Sequence, residues 1–184
     1  MDSKIKFKVE SLKVIGACLV ALFFVGCMQN DWVDWKMQNE LWLAHNKTLE
    51  GVEVTSTGLQ YKIIADPTQQ DARPNETSTI ICDYKLYLIT NYKDDQPTGK
   101  PLEQANNASL TLSSVISGFA EGCHKIHNNG DIKLYIPAYL AYDASKYKSN
   151  EYYAAEGYGT EGNTSYIPPY STLIYEIHIC GVSD

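Results

Sequence analysis

Leu134-Tyr-Ile-Pro-Ala-Tyr-Leu-Ala-Tyr142 and Tyr166-Ile-Pro-Pro-Tyr-Ser-Thr-Leu-Ile-Tyr-Glu-Ile-His178 decide the fold of this chain. Both runs are rich in Ile, Leu and Tyr, the residues that suit a half-buried pleated surface. The first belongs to a strand over 131–137 and the second to a strand over 171–181. Between them lies a polar stretch, Asp143 to Ser165. Neighbouring strands joined in this way would bring Tyr142, Ile167 and Tyr175 around one apolar hollow.

Working outward, Ser113 or Ser114 is placed to cap a short helix. Its residues Phe119, Cys123 and Ile126 fall at i, i+4 and i+7 and so share a buried face. Asn128-Asn129-Gly130 supplies a left-handed stop. Upstream, Thr79 to Leu88 alternates as a strand should. Ile81, Asp83 and Lys85 lie on one face, and Cys82, Tyr84 and Leu86 on the other. Ser109 to Leu112 is short and extended. Asp94-Asp95 and Thr98-Gly99 mark a hairpin tip, and Asp66 to Thr77, with Pro67 and Pro74, reads as a loop. Val52, Val54, Leu59, Tyr61 and Ile63 alternate around a turn at Thr57-Gly58. Many strands around one short helix make an α+β antiparallel architecture.

Four segments in this order resemble the FKBP family of peptidyl-prolyl cis-trans isomerases. They are Thr57-Gly-Leu-Gln-Tyr-Lys-Ile-Ile64, Tyr84, Val115-Ile-Ser-Gly-Phe-Ala-Glu-Gly122 and the two opening runs, which read IPxxLAY and IPPxSTLxYEI. The resemblance covers roughly residues 52–182. It implies a curved antiparallel sheet wrapped around one helix, with the 143–165 segment as a Tyr-rich insertion. It also implies a proline pocket with Phe119 as its floor, where the family often has Trp, and Tyr84, Val115, Ile116, Tyr142, Ile167 and Tyr175 as its lining. Leu102 and Glu103 stand where the family carries a Phe-Asp pair. A further aromatic wall is replaced near Ala108, and Asp143 follows the Ala-Tyr pair in place of Gly. The implied activity is peptidyl-prolyl isomerisation in a partly altered pocket. The alternative is an FKBP-like lipoprotein that grips peptides or partners with little or no turnover.

The residues suit that chemistry. Rotation about a peptide bond meets a resonance barrier of ~18–20 kcal/mol. Lowering it calls for a water-poor pocket and a placed hydrogen-bond donor, with no nucleophile, metal, redox group or cofactor. Phe119, Val115 and Ile116 would hold the proline ring, and Tyr142 could donate its hydroxyl to a substrate carbonyl. His124 and His127, at i and i+3, lack a third ligand and read as a solvated helix end. No nucleophile elbow or phosphate loop is present.

The start of the chain carries a different message. Lys4, Lys6, Lys8 and Lys13 precede an apolar run from Val14 to Val25 that ends in Gly26-Cys27. The run falls short of the ~20 residues of a membrane span and has the build of a secretory signal over 1–26. Val25-Gly26-Cys27 resembles a bacterial lipobox, with Phe24 where Leu is usual. The expectation is lipidation at Cys27 and anchoring at an outer membrane, on its periplasmic face or the cell surface. Cys82, Cys123 and Cys180 then remain, an odd number without metal spacing, and are read as small buried hydrophobes.

Residues 28–50 form a helical segment, with Asp31 as N-cap and Trp32, Trp35 and Trp42 on one stripe broadened by Leu41 and Leu43. Such a helix could dock on its own domain, a partner or a membrane surface; docking on its own domain is the simplest. The 184 residues carry 15 basic and 22 acidic side chains, a net charge of −7, with Arg73 the one arginine. Nucleic acid, which needs clustered cations, is excluded. The expected partners are proline-containing polypeptides, the membrane through the anchor, and a protein partner reached by Tyr147, Tyr152, Tyr153 and Tyr158. Those tyrosines sit among Gly, Ser and Asn in an adaptable surface composition.

Overall fold

The computed structural model describes residues 31–67, 73–142, 158 and 166–183. The leader, Cys27 and most of the Tyr-rich insertion, including Tyr147, Tyr152 and Tyr153, lie outside the described residues. The chain divides into two units at residue 33, and the unit from Asp34 onward carries the fold.

Six strands form one antiparallel sheet in the order β1-β2-β7-β8-β3-β6. They are β1 (Glu53–Val54), β2 (Gln60–Ala65), β3 (Thr79–Leu88), β6 (Glu103–Thr111), β7 (Asp131–Ile136) and β8 (Leu173–Ser183). A small hairpin, β4 (Tyr92–Lys93) with β5 (Gln96–Pro97), stands apart from it. The expected α+β fold, a curved sheet around one short helix, is what the chain adopts. The curvature has a local cause. The ladder between β3 and β8 shifts register at Ile81/Cys82, and that between β3 and β6 at Cys82/Tyr84. Each such bulge bends the bulged strand and adds twist. The second is fixed by Asn107, at φ +52°, whose backbone N–H donates to Asp83 Oδ1 over 2.7 Å.

Two layers cover the sheet. On the inner face lies α2 (Ser117–Cys123). Phe119, Cys123 and Ile126 pack there against Ile80, Cys82, Leu134, Ile136 and Ile177 in the main core. The helix lies close to β7 because its glycines permit it. A Cβ on Gly118 would collide with Ile136, and one on Gly122 with Leu134. The expected serine cap is not used. Ser113 and Ser114 belong to a 3₁₀ turn, and Ile116 occupies the N-cap position, without a side-chain cap bond. Its carbonyl accepts the N–H groups of Phe119 and Ala120 instead.

On the outer face lies the part of α1 (Asp31–Asn46) from Trp35 onward, which docks on its own domain. Trp42 meets Tyr135 with ring centroids 5.8 Å apart. Trp42 and Leu43 close a second small core of Tyr87, Tyr92, Tyr135 and Ile174. Two asparagines share the buried face. Asn39 Oδ1 accepts the Thr172 N–H at 2.7 Å, and Asn46 donates to Gln60 Oε1 at 3.0 Å. Leu41, read as part of the apolar stripe, is 63 % exposed, because it falls on the far side of the helix from Asn39 and Trp42.

Strand bounds differ from the expectations mainly at β6. Its first half, Glu103-Gln-Ala-Asn-Asn107, is polar and lacks β-branched residues, so the strand shows in the sequence only from Ser109. The hairpin tip is where expected. Asp94 and Asp95 take φ of 49° and 62°, the left-handed pair that a two-residue turn requires.

Candidate active site

The candidate site lies on the inner face of the sheet around Phe119, where β8, β3 and β6 run side by side. The register sets this up. Tyr84 pairs with Ile177 on β8, and Leu86 with both Tyr175 on β8 and Glu103 on β6. Alternation then turns Tyr84, Leu86 and Tyr175 to one face. Tyr84, Phe119 and Tyr175 form a closed triangle of rings. Centroids are 6.4 Å apart for Tyr84–Phe119, 5.9 Å for Tyr84–Tyr175 and 5.2 Å for Phe119–Tyr175. Both contacts of Phe119 are edge-to-face at 82°, a favoured arrangement of ring quadrupoles. Tyr175, expected in the lining, is buried beside Phe119.

The remaining lining residues gather around the triangle. Val115 and Ile116, just ahead of α2, are half-buried against the core, as is Leu102. Leu102 is pinned by its N–H, which donates to the Leu86 carbonyl at 2.7 Å. Ile167 is buried. Tyr142 follows the 3₁₀ turn at Ala138–Leu140, and the Ser117 hydroxyl ties that turn to α2 by donating to the Leu140 carbonyl at 3.2 Å. Of the nine residues singled out from the sequence, Tyr84, Leu102, Val115, Ile116, Phe119, Ile167 and Tyr175 pack in or against the main core, Glu103 meets Tyr84, and the Tyr142 phenol acts on those of Tyr84 and Tyr175.

The electrostatics of the site are set by burial and by one carboxylate, Glu103. The Tyr84 hydroxyl donates to Glu103 Oε1 in a short hydrogen bond. Burial, then that bond and the Glu103 charge, push the Tyr84 phenol well above its usual range. Burial does the same to Tyr175, helped by Tyr142, Glu103 and Tyr84. Tyr142 is raised by burial, then by Tyr158 and Glu103. All three phenols hold their protons at neutral pH. The Tyr84 proton is committed to Glu103. Among the described residues, the hydroxyls of Tyr142 and Tyr175 meet no hydrogen-bond partner.

Other chemistry is confined to structural clusters. His127, expected as a solvated helix end, is buried at 7 % exposure. Its N–H and Nδ1 bind the two carboxylate oxygens of Asp66 at 2.9 and 2.8 Å, and Arg73 Nε donates to its Nε2 at 3.2 Å. This assigns the proton to Nδ1. Sequence reasoning missed the cluster because its members lie 61 and 54 residues apart. Among the described residues, no group of three or more His, Cys, Asp or Glu is arranged to hold a metal ion. Cys82 and Cys123 are buried, Cys180 is half-buried and all three are free; burial pushes the Cys82 thiol up to about 11.

A concavity of about 560 Å³ lies on the outer face, lined by Asp83, Lys85, Asp131, Lys133, Glu176 and His178 among others. Its charges answer one another. His178 binds Asp131 at 2.9 Å, Lys133 lies 3.6 Å from Glu176, and Asp83 holds the β6 bulge.

The ring triangle with a phenol at its rim can be compared with known proteins. A family model described as FKBP-type peptidyl-prolyl cis-trans isomerase matches residues 70–180. The chain belongs to that family. Among curated relatives it is 29 % identical to the FKBP-type peptidyl-prolyl cis-trans isomerase FkpA of Escherichia coli K12, over 84 % of this chain and 49 % of FkpA. It is 30 % identical to the outer membrane protein MIP of Legionella longbeachae, over 80 % of this chain and 54 % of that protein. The chain thus spans about half the length of these relatives. The crystal structure of FkpA from Escherichia coli superimposes with a TM-score of 0.65 at 24 % identity, covering all of this chain and 73 % of that one. A peptidyl-prolyl cis-trans isomerase from Pseudomonas syringae gives 0.62 at 23 % identity, covering 80 % and 92 %. These two likenesses establish the fold.

Proposed function

We propose that this FKBP family member catalyses cis-trans isomerisation of X-Pro bonds in polypeptides outside the cytoplasm, through the pocket around Phe119. The observation that carries the reading is the closed triangle of Tyr84, Phe119 and Tyr175, with the Tyr142 phenol close enough to act on those of Tyr84 and Tyr175. The proline ring would rest on Phe119 between Val115 and Ile116. Exclusion of water there disfavours the charge-separated planar amide, which is the resonance form that sets the barrier. Tyr142, protonated at neutral pH as phenols are, would donate to the carbonyl beside the rotating bond. A preorganised donor of this sort acts strongly where water is excluded.

Glu103 enters indirectly. It is one methylene longer than the Asp of the family pattern, and it accepts a hydrogen bond from the Tyr84 hydroxyl, which fixes that ring against Phe119. Leu102 in place of an aromatic leaves the pocket less enclosed on that side. That substitution favours a second reading, a peptide-binding module with slow turnover.

The basic leader, the short apolar run and Gly26-Cys27 support an acylated lipoprotein anchored through Cys27 at an outer membrane. Cys27→Ser should abolish labelling by a tagged fatty acid; persistent labelling would refute the anchor. For the activity, the measurement is the refolding rate of a proline-limited substrate protein. Catalytic amounts of this chain should accelerate the slow phase in proportion to concentration. Binding without acceleration would select the module.

A further inference from the structure

The 143–165 insertion reaches the pocket at Tyr158. Its backbone pairs with Ile167 in an isolated antiparallel bridge, each N–H donating to the other's carbonyl at 2.9 Å. Its ring lies on Tyr142 with centroids 4.4 Å apart and planes within 19°. Tyr158 is therefore held twice, by backbone on one pocket residue and by ring on another. Without it Tyr142, already 37 % exposed, would have one ring face open to solvent. A phenol in water samples several rotamers, whereas a stacked one is confined to few.

We propose that Tyr158 is a positioning and specificity-determining residue of the pocket. It clamps the Tyr142 ring so that its hydroxyl points at the substrate carbonyl, and it adds an aromatic wall beside Ile167. The proposal rests on the isomerase reading for its catalytic consequence but not for its binding consequence. Tyr158 is 55 % exposed, so its outward edge is available to the residue that flanks proline. Apolar and aromatic flanking residues should profit most from it.

The test uses the full chain with Tyr158→Ala, Tyr158→Phe, Tyr142→Phe and the Tyr142→Phe/Tyr158→Ala double variant. Two quantities are read on a Phe-Pro peptide and an Ala-Pro peptide: affinity by chemical-shift titration and exchange rate by NMR. Tyr158→Ala should weaken Phe-Pro binding about fivefold, the scale of one aromatic pair, and Ala-Pro binding less. Tyr158→Phe keeps the ring and should stay within about twofold of wild type. In the Tyr142→Phe background, Tyr158→Ala should cost clearly less exchange rate than in wild type, since coupled residues are non-additive. Equal loss in both backgrounds, or a Tyr158→Phe variant as poor as Tyr158→Ala, would overturn the positioning role. Unchanged affinity in every Tyr158 variant would overturn the wall as well. A wild-type chain that binds without exchange would sink the isomerase reading, while the affinity comparison would still decide the place of Tyr158. Should Tyr158→Ala fail to fold, Tyr158→Leu retains bulk without an aromatic face and must reproduce the loss.

Discussion

At the scale of single residues, the pocket depends on where three phenolic protons go. The Tyr84 hydroxyl donates to Glu103, while those of Tyr142 and Tyr175 meet no hydrogen-bond partner among the described residues. Tyr142→Phe removes one donor and should slow turnover by about 0.5–1.5 kcal/mol in activation free energy, with the melting temperature nearly unchanged. Phe119→Ala acts differently, because Phe119 is floor and core together. It should cost roughly 3–5 kcal/mol of stability, read by denaturant unfolding. Leu102→Phe with Glu103→Asp restores the family pattern. If the departures weaken the site, the double variant should raise the exchange rate; no change would mean that Leu102 and Glu103 already serve it fully.

At the scale of elements, α1 is tied to the loop that carries Ile167 into β8. Asn39 accepts the Thr172 N–H, and Trp35 Nε1 donates to the Ser171 hydroxyl at 3.1 Å, which itself donates to the Pro168 carbonyl at 2.7 Å. Asn39→Ala leaves the buried Thr172 N–H without an acceptor and should cost about 1–3 kcal/mol. Hydrogen exchange should then rise first at Ser171 and Thr172. Thr79–Leu88 and the hairpin at Asp94-Asp95 could be read from the sequence because local patterns specify them: alternation in one, a left-handed turn pair in the other. The Phe119 helix was legible as a face but not at its start, since a backbone carbonyl takes the part of the serine cap. Asn39 and Asn46 gave no signal, because a buried asparagine is explained only by partners far along the chain. Tyr158 was likewise placed among adaptable surface tyrosines, since no periodicity in the insertion points it at Tyr142.

At the scale of the whole molecule, stability should depend on pH at both extremes. Burial raises the phenols of Tyr92 and Tyr135, as it does Tyr84 and Tyr175. The unfolded chain releases these protons near pH ~10 and the folded chain does not, so stability falls as pH rises beyond that value. On the acid side, burial alone would raise the Asp95 carboxyl. Tyr135, Lys62 and Lys133 overcome that and hold it below the usual carboxylate range. Tyr135 donates at 2.5 Å, Lys62 at 2.9 Å and Lys133 at 3.2 Å. Asp66 is lowered likewise by His127 and Arg73 against its own burial. Their contribution is complete above pH ~4 and is lost as pH falls through the depressed values. Asp95→Asn should flatten the acid limb of a plot of unfolding free energy against pH and leave the alkaline limb in place. The measurement that bears most directly on the pocket around Phe119 is NMR exchange spectroscopy on X-Pro peptides with catalytic amounts of this protein. Faster cis-trans exchange is expected, diminished by Tyr142→Phe. Absence of any enhancement across a panel of residues before proline would contradict it.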